Sequence, residues 1–261
     1  MKTIVLSFDD GRSDFYNRAF PILMKHGISS TFNVITNYLN DNNRNGNISF
    51  PSSKQGISTE HLLECYKSGL VEIACHGANH LNTKEDVEKN LNDLRILGVN
   101  EKSFGFASPE SVITELNKNE NGVWQLVEDG KLLYVRSGIQ IRREGYFYTA
   151  LSLIDRFVHS NLLFRYLNKK NVIDNINNKQ ILPSVAIYSY TKWHQIISLI
   201  NSIDESSTTI LMFHSILQKG DEGYGCDRYY WDAKEFEALC LFLKSRNDIR
   251  ICMTKDLFVM H

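Results

Sequence analysis

Two acids, Asp9 and Asp10, stand side by side at the end of the apolar run TIVLSF, with Gly11 next. Two histidines, His76 and His80, share the pentapeptide HGANH after the run LVEIAC. A third, His214, follows TTILMF, and the turn Ser108-Pro109-Glu110 follows SFGFA. Histidines at i and i+4 can reach one metal ion from the same side of a turn or helix. With one aspartate they make three N and O ligands, the usual composition of a catalytic zinc site that keeps one position open. Neighbours on an extended segment point opposite ways, so Asp9 and Asp10 should not make the same contact. One can hold the metal while the other faces the open position and takes a proton from water there. Each motif alone has a plainer reading: HxxxH as two loop histidines, Asp-Gly as a strand-ending turn, His214 as a strand cap.

What favours the chemical reading is where these residues fall. Short β-branched or aromatic runs predict strands over 3–8, 30–35, 70–75, 103–107, 131–136, 184–190, 208–213 and 249–254. Several are almost continuously apolar, as strands buried on both faces should be. Helical patterns lie between them. Ser13 is a candidate cap for a helix carrying Phe15, Ala19, Ile22 and Leu23; Ser58 or Thr59 can start STEHLLECYKSG; Thr83 can cap TKEDVEKNLNDLRILG. TKWHQIISLINSI and DAKEFEALCLFLKS complete the set. Alternating strands and helices mean parallel β/α units, and both a closed barrel and an open doubly wound sheet satisfy the pattern. No GxGxxG follows the first strand, which argues against a dinucleotide-binding sheet. In either parallel architecture the C-terminal strand ends share one face, where active sites gather. The two Asp, three His and the Ser-Pro-Glu turn all fall on that face.

The stretch 139–183 breaks the alternation. YFYTALSLIDRFVHSNLLFRYL reads as one or two aromatic helices, and the region as an insertion within a single 1–261 domain. The Asn-rich NYLNDNNRNGNISF reads as a loop. With 29 basic and 30 acidic residues, net charge −1, nothing in the composition calls for nucleic acid as a partner. No run approaches the about 18 apolar residues of a membrane span, and the start MKTIVLSFDD lacks a signal-peptide pattern, so a cytoplasmic location is expected. Five cysteines without a CxxC pair read as free buried thiols.

SFDDG, HGANH, FASPES and LMFHS together resemble the polysaccharide deacetylases, also called carbohydrate esterase family 4 or the NodB homology domain. TFNVI at 31–35 is similar to that family's second strand, and the resemblance runs over about residues 3–256. It implies a distorted (β/α) barrel of about seven or eight mostly parallel strands and a divalent metal, most often Zn2+. It makes Asp9 the general base, Asp10, His76 and His80 the metal ligands, and His214 the general acid that protonates the leaving amine. Metal and a backbone N–H near Pro109 and Glu110 would hold the oxyanion. The implied reaction is removal of an N-acetyl group from an amino sugar or small glycoconjugate; a related amide or imide hydrolysis and a non-catalytic carbohydrate-binding barrel are the alternatives.

Two departures stand out. The family's third motif carries an Arg two residues before the Pro and a Tyr after it; here those positions are Ala107 and Glu110. Arg136, at the end of the next strand, can fill the space left by the missing guanidinium, and Glu110 can contact a polar substrate. In GYGCDRYYWD, either Tyr224, Tyr229, Tyr230 and Trp231 stack on a sugar face, or Tyr230 and Trp231 staple the start of the last long helix, with Asp232 as its cap.

Overall fold

The structure is a computed structural model that describes residues 1–40, 55–137, 145–177 and 179–258. Most of the predicted Asn-rich loop, the start of the 139–183 stretch and the final three residues lie outside these. The strands are β1 Lys2–Phe8, β2 Ser30–Val34, β3 Val71–Cys75, β4 Phe104–Ala107, β5 Leu132–Arg136, β6 Val172–Ile173, β7 Ile181–Leu182, β8 Val185–Ala186, β9 Thr208–Phe213, β10 Ser215–Leu217, β11 Tyr230–Asp232 and β12 Ile249–Ile251. The helices are α1 Phe20–His26, α2 Thr59–Lys67, α3 Lys84–Ile96, α4 Val123–Glu128, α5 Tyr146–Val158, α6 Asn161–Asn168, α7 Trp193–Ser202 and α8 Ala233–Lys244.

The main sheet runs β6-β9-β1-β2-β3-β4-β5-β7, with β12 beside β1 and β8 beside β9. Every pairing in it is parallel except β6 with β9. β7 pairs with β5 and β8 pairs with β9. Only Pro183 and Ser184 separate β7 from β8. This short stretch therefore bridges the two ends of the sheet and bends it into a nearly closed, distorted (β/α) barrel. β1 lies at its centre. Its first half pairs with β12, its second half with β2, and its whole length with β9.

β1, β2, β3 and β9 are buried almost throughout, which explains their unbroken apolar runs. Phe8, the last residue of β1, packs on Phe15 at 4.9 Å, Phe213 at 5.2 Å and Phe236 at 5.7 Å between ring centres. One aromatic cluster thus ties β1, β9 and α8 together directly beneath Asp9 and Asp10.

The helices follow their caps, with one exception. Ser58 and Thr83 accept the expected bonds from His61 N and Asp86 N, and Asp232 caps α8 by accepting from Lys234 N. Ser13 does not cap the first helix. That helix opens with a π-helical turn at Phe15–Ala19 after Asp14, whose carboxylate accepts instead from Ser215 Oγ and Ile216 N. Long-range bonding to the β9–β10 segment wins over a local cap. The stretch expected as one strand over 184–190 is extended only at Val185–Ala186. The latter part of 139–183 joins the sheet: β6 pairs with β9 and β7 with β5.

The Phe8→Ala variant should lose about 3–5 kcal/mol, because a large buried ring leaves a cavity among rigid neighbours; urea denaturation checks this.

Candidate metal and catalytic site

The barrel brings Asp9, Asp10, His76, His80, Glu110 and His214 onto one cavity of about 830 Å³. Asp9 and Asp10 follow β1 and make different contacts, and Asp10 adopts a left-handed backbone, φ +76°. Asp9 is buried and accepts two hydrogen bonds from Arg136 Nη2, at 2.8 and 2.7 Å, and one from Asn33 Nδ2 at 2.8 Å.

Asp10 divides its two oxygens. Oδ2 takes Arg12, from Nε at 2.8 Å and Nη2 at 2.6 Å. Oδ1 faces the histidines, 3.3 Å from His76 Nε2 and 3.8 Å from His80 Nε2. Burial alone would raise the Asp10 pKa, but Arg12, His76 and His214 hold the carboxyl well below its ordinary range. One ligand atom from each of Asp10, His76 and His80 lies within 4.8 Å of the others, so the three fit a single ion.

His76 and His80 are set by the backbone around them. His76 N bonds to Val34 O, continuing the sheet, and also to Asn90 Oδ1. His76 Nδ1 lies 2.8 Å from the Ala107 carbonyl, which can only accept, so Nδ1 carries the proton and Nε2 is left as a donor atom for metal. Asp86, in the first turn of α3, organises the loop between the two histidines: its carboxylate accepts from Asn79 N and Leu81 N. Gly77 lies under that carboxylate at φ +77°, where a Cβ would come within 2.6 Å of Asp86 Oδ2. A side chain there would push the carboxylate off the loop.

His214 is half-buried, with its ring 5.0 Å from that of Tyr229. Burial pushes its pKa down to about 4, against the pull of Asp10. His80 is held near 4 by the same cause, with His76 adding to it. Burial alone would lower His76, but Asp10, 3.3 Å from its Nε2, and the charge of Asp9 outweigh it and move its pKa up. Beneath the site, burial raises Asp14 to about 6, against Arg12, Ile216 N–H and Ser215.

Arg12, Asp14 and Asn33 were not singled out from the sequence. Signals existed for two of them. Arg12 is a charged residue only two positions beyond Asp10, and Asn33 is the polar break in the apolar strand TFNV. Arg12 is fully buried and its Nη1 also donates to Ser215 Oγ at 2.8 Å.

Arg136 does what its position allowed. It sits directly across the β4–β5 ladder from Ala107, so the guanidinium reaches Asp9 from one strand further along the sheet. Pro109 and Glu110 are less alike. Pro109 is buried away from the cavity, its carbonyl accepting from Asn82 Nδ2, while Glu110 lines the cavity at φ +55°. Tyr230 and Trp231 do not line it. Trp231 is 1% exposed, packs 5.6 Å from Phe213 and donates from Nε1 to Thr191 O. Tyr230 packs on Tyr224 at 4.9 Å. Trp231, inside the strand, is turned into the core, while Tyr229, just before the strand, lines the cavity.

The sequence profile of the polysaccharide deacetylases matches residues 1–139. The chain belongs to the polysaccharide deacetylase family. It is similar to the poly-β-1,6-N-acetyl-D-glucosamine N-deacetylase of Staphylococcus aureus, at 32% identity over 120 residues. That match covers 46% of this chain and 34% of the relative, so the chain spans about a third of that protein's length. Among solved structures, a family 4 acetyl xylan esterase from Clostridium thermocellum, determined with a cobalt ion, aligns over 98% of this chain and 90% of its own, with TM-score 0.50 and 16% identity. A variant of the peptidoglycan deacetylase PdaC from Bacillus subtilis aligns over 98% and 89%, with TM-score 0.50 and 13% identity. At such identities the likeness is one of fold. Among the described residues, no helix of this polysaccharide deacetylase family member is long and apolar enough to cross a membrane.

Removing one partner of the buried Asp9–Arg136 pair should be costly. Arg136→Met leaves the carboxylate with Asn33 and should destabilise the fold by about 3–5 kcal/mol. Adding Asp9→Asn should recover part of that loss in urea denaturation, since the uncompensated charge goes with it.

His80 and His214, with depressed pKa values, contribute to the loss of stability on the acid side in the metal-free protein. A base with a depressed folded pKa binds fewer protons folded than unfolded between the two values. Its stabilisation is full above the unfolded value near 6.5 and is lost as pH falls toward about 4. For His214 that loss is about 3 kcal/mol. His214→Gln should therefore shrink the stability difference between neutral pH and about pH 4 by roughly that amount, measured as the change in unfolding free energy against the parent chain.

Proposed function

We propose that this chain is a metal-dependent hydrolase that removes the N-acetyl group from an amino sugar, releasing acetate and a free amine. The observation that carries this reading is the division of labour between Asp9 and Asp10. Asp9 is held by Arg136 and Asn33, and Asp10 turns Oδ1 toward His76 and His80. Family membership supports the reaction class, and the cavity around these residues supports a small polar substrate.

Asp10, His76 and His80 would hold the ion, and mixed carboxylate and imidazole donors suit Zn2+. Such an ion, when bound, acts as a Lewis acid that makes water acidic and polarises a carbonyl. Asp9 serves as the base that takes the water proton. Its ion pair with Arg136 keeps it fixed, and Asn33 binds the same Oδ1 as Arg136, so neither oxygen can rotate away. His214 serves as the acid for the leaving nitrogen. It rests neutral, because burial holds its pKa near 4. Negative charge growing on the tetrahedral adduct opposes that effect, so His214 takes up a proton from solvent and passes it to the leaving amine, and Asp9 returns the water proton to solvent afterwards. Arg136 in place of the family's usual arginine leaves this scheme intact, since its Nη2 donates to both oxygens of Asp9 from a different strand.

The test is acetate release from N-acetylglucosamine and its β-1,6-linked oligomers. Release should stop on chelation and return with Zn2+. Asp9→Asn should lower kcat by about 10²–10⁴-fold while metal content stays unchanged, because the base and not a ligand has been removed. Full metal loading without acetate release on any N-acetylated sugar would overturn the reading.

A further inference from the structure

The cavity extends beyond the groups used above. From His214 a run of rings leads along one wall: Tyr229 at 5.0 Å, Tyr188 at 5.9 Å from Tyr229, and Tyr190 at 5.4 Å from Tyr188. Two arginines lie on these rings. Arg228 is 5.2 Å from the centre of Tyr188 and 5.0 Å from that of Tyr229, and Arg156 is 5.0 Å from that of Tyr190. All five side chains line the cavity that contains Asp10, His76 and His80.

Neither arginine has a carboxylate within ion-pair distance among the described residues. Asp155, the acid next to Arg156 in sequence, is engaged elsewhere: Gln195 Nε2 donates to both its oxygens at 3.1 Å. Asp9 and Asp10, which share the cavity, are neutralised by Arg136 and Arg12. Glu110 stands on a separate segment, after β4. Arg156 Nε is buried and without a hydrogen-bond partner among the described residues. Arg228 spends one N–H on Tyr229 Oη, from Nη2 at 3.0 Å; a guanidinium lying on a ring uses its face there, and its remaining N–H groups are left for a ligand.

α5, which carries Arg156, is turned inside out. Thr149, Ser152, Leu153, Asp155 and Arg156 line the cavity, while Phe147, Ile154, Phe157 and Val158 on the same helix are exposed. A surface helix normally buries its apolar stripe. Here the polar face is the one packed inward, which brings Arg156 to the tyrosine wall.

We propose that Arg156 and Arg228 form an anion subsite, and that the amino sugar handled at Asp9 and Asp10 carries a phosphate or carboxylate. Two cations with no ion-pair partner among the described residues and with planar donor edges suit a multi-oxygen anion, and the tyrosine rings between them and His214 suit the C–H faces of the sugar. The substrate class rests on the deacetylase reading; the anion subsite itself does not.

The test compares N-acetylglucosamine 1-phosphate, N-acetylmuramic acid and neutral N-acetylglucosamine on the full chain supplied with Zn2+. Binding of glucosamine 1-phosphate, glucosamine and inorganic phosphate is measured by calorimetry alongside. Charge-assisted hydrogen bonds are worth about tenfold or more each, so the anionic sugar should be preferred by about 30-fold or more in kcat/KM and in Kd. In Arg156→Gln/Arg228→Gln the anionic-to-neutral ratio should fall to within about threefold of unity. Arg156→Lys/Arg228→Lys should recover part of it, which a purely structural role would not predict. The phosphate and carboxylate sugars compared with each other tell which anion fits. Equal binding of charged and neutral sugars by the parent chain, or an unchanged ratio in the glutamine variant, would overturn the subsite even if both sugars are hydrolysed. Arginine-dependent binding of the phosphorylated sugar with no hydrolysis of either would keep the subsite and remove the deacetylase reading.

Discussion

The buried ion pair between Asp9 and Arg136 is the contact on which the site depends. Both side chains are almost wholly inaccessible, and the guanidinium meets both carboxylate oxygens. A charge buried like this is tolerated only when paired and hydrogen-bonded on its remaining sides. Asn33 satisfies Asp9 from β2, and Ser184 Oγ accepts from Arg136 Nη1 at 3.1 Å. Ser184 lies in the short bridge from β7 to β8, and its hydroxyl also donates to Ser137 O. The residues that close the barrel are thus the same ones that hold the guanidinium.

Two adjacent carboxylates at one strand end need two cations, and the fold supplies them from opposite directions. Arg136 comes from β5 to Asp9, and Arg12 turns back from the next loop to Asp10. The second pairing has a chemical consequence. Arg12 occupies Oδ2 of Asp10, which leaves Oδ1 for the histidines and fixes the carboxylate as a single-oxygen donor. The left-handed backbone at Asp10 makes the split possible, a strain carried by a residue type that tolerates it better than most.

The departures at Ala107 and Glu110 become intelligible in this light. Ala107 still contributes to the site through its carbonyl, which orients His76 and needs no particular side chain. Ala107 and Arg136 pair across parallel strands, so their side chains leave the same face of the sheet. Moving the arginine one strand over keeps the cation on the same side of the barrel. Glu110, where the family has a tyrosine, faces the cavity, while tyrosines reach it from the segments after β8 and before β11.

The alternation of parallel strands with helices and the gathering of Asp9, Asp10, His76, Glu110 and His214 were legible in the sequence, because parallel strands buried on both faces leave unbroken apolar runs and their C-terminal ends share one face. The HGANH spacing and the helix caps at Ser58, Thr83 and Asp232 are local signals, readable for the same reason. What lay beyond the sequence were contacts between segments far apart in it. Apolar periodicity reports that a residue is buried and says nothing of which neighbour it meets. Hence Asp14 bonds to β10 in place of a local cap, Trp231 enters the core while Tyr229 takes the cavity, and α5 turns its polar face inward. The partner of Asp9 belongs to this group. Sequence placed Arg136 at a strand end, but the β4–β5 register and the β7–β8 bridge are set by tertiary packing, and they bring its guanidinium onto the carboxylate.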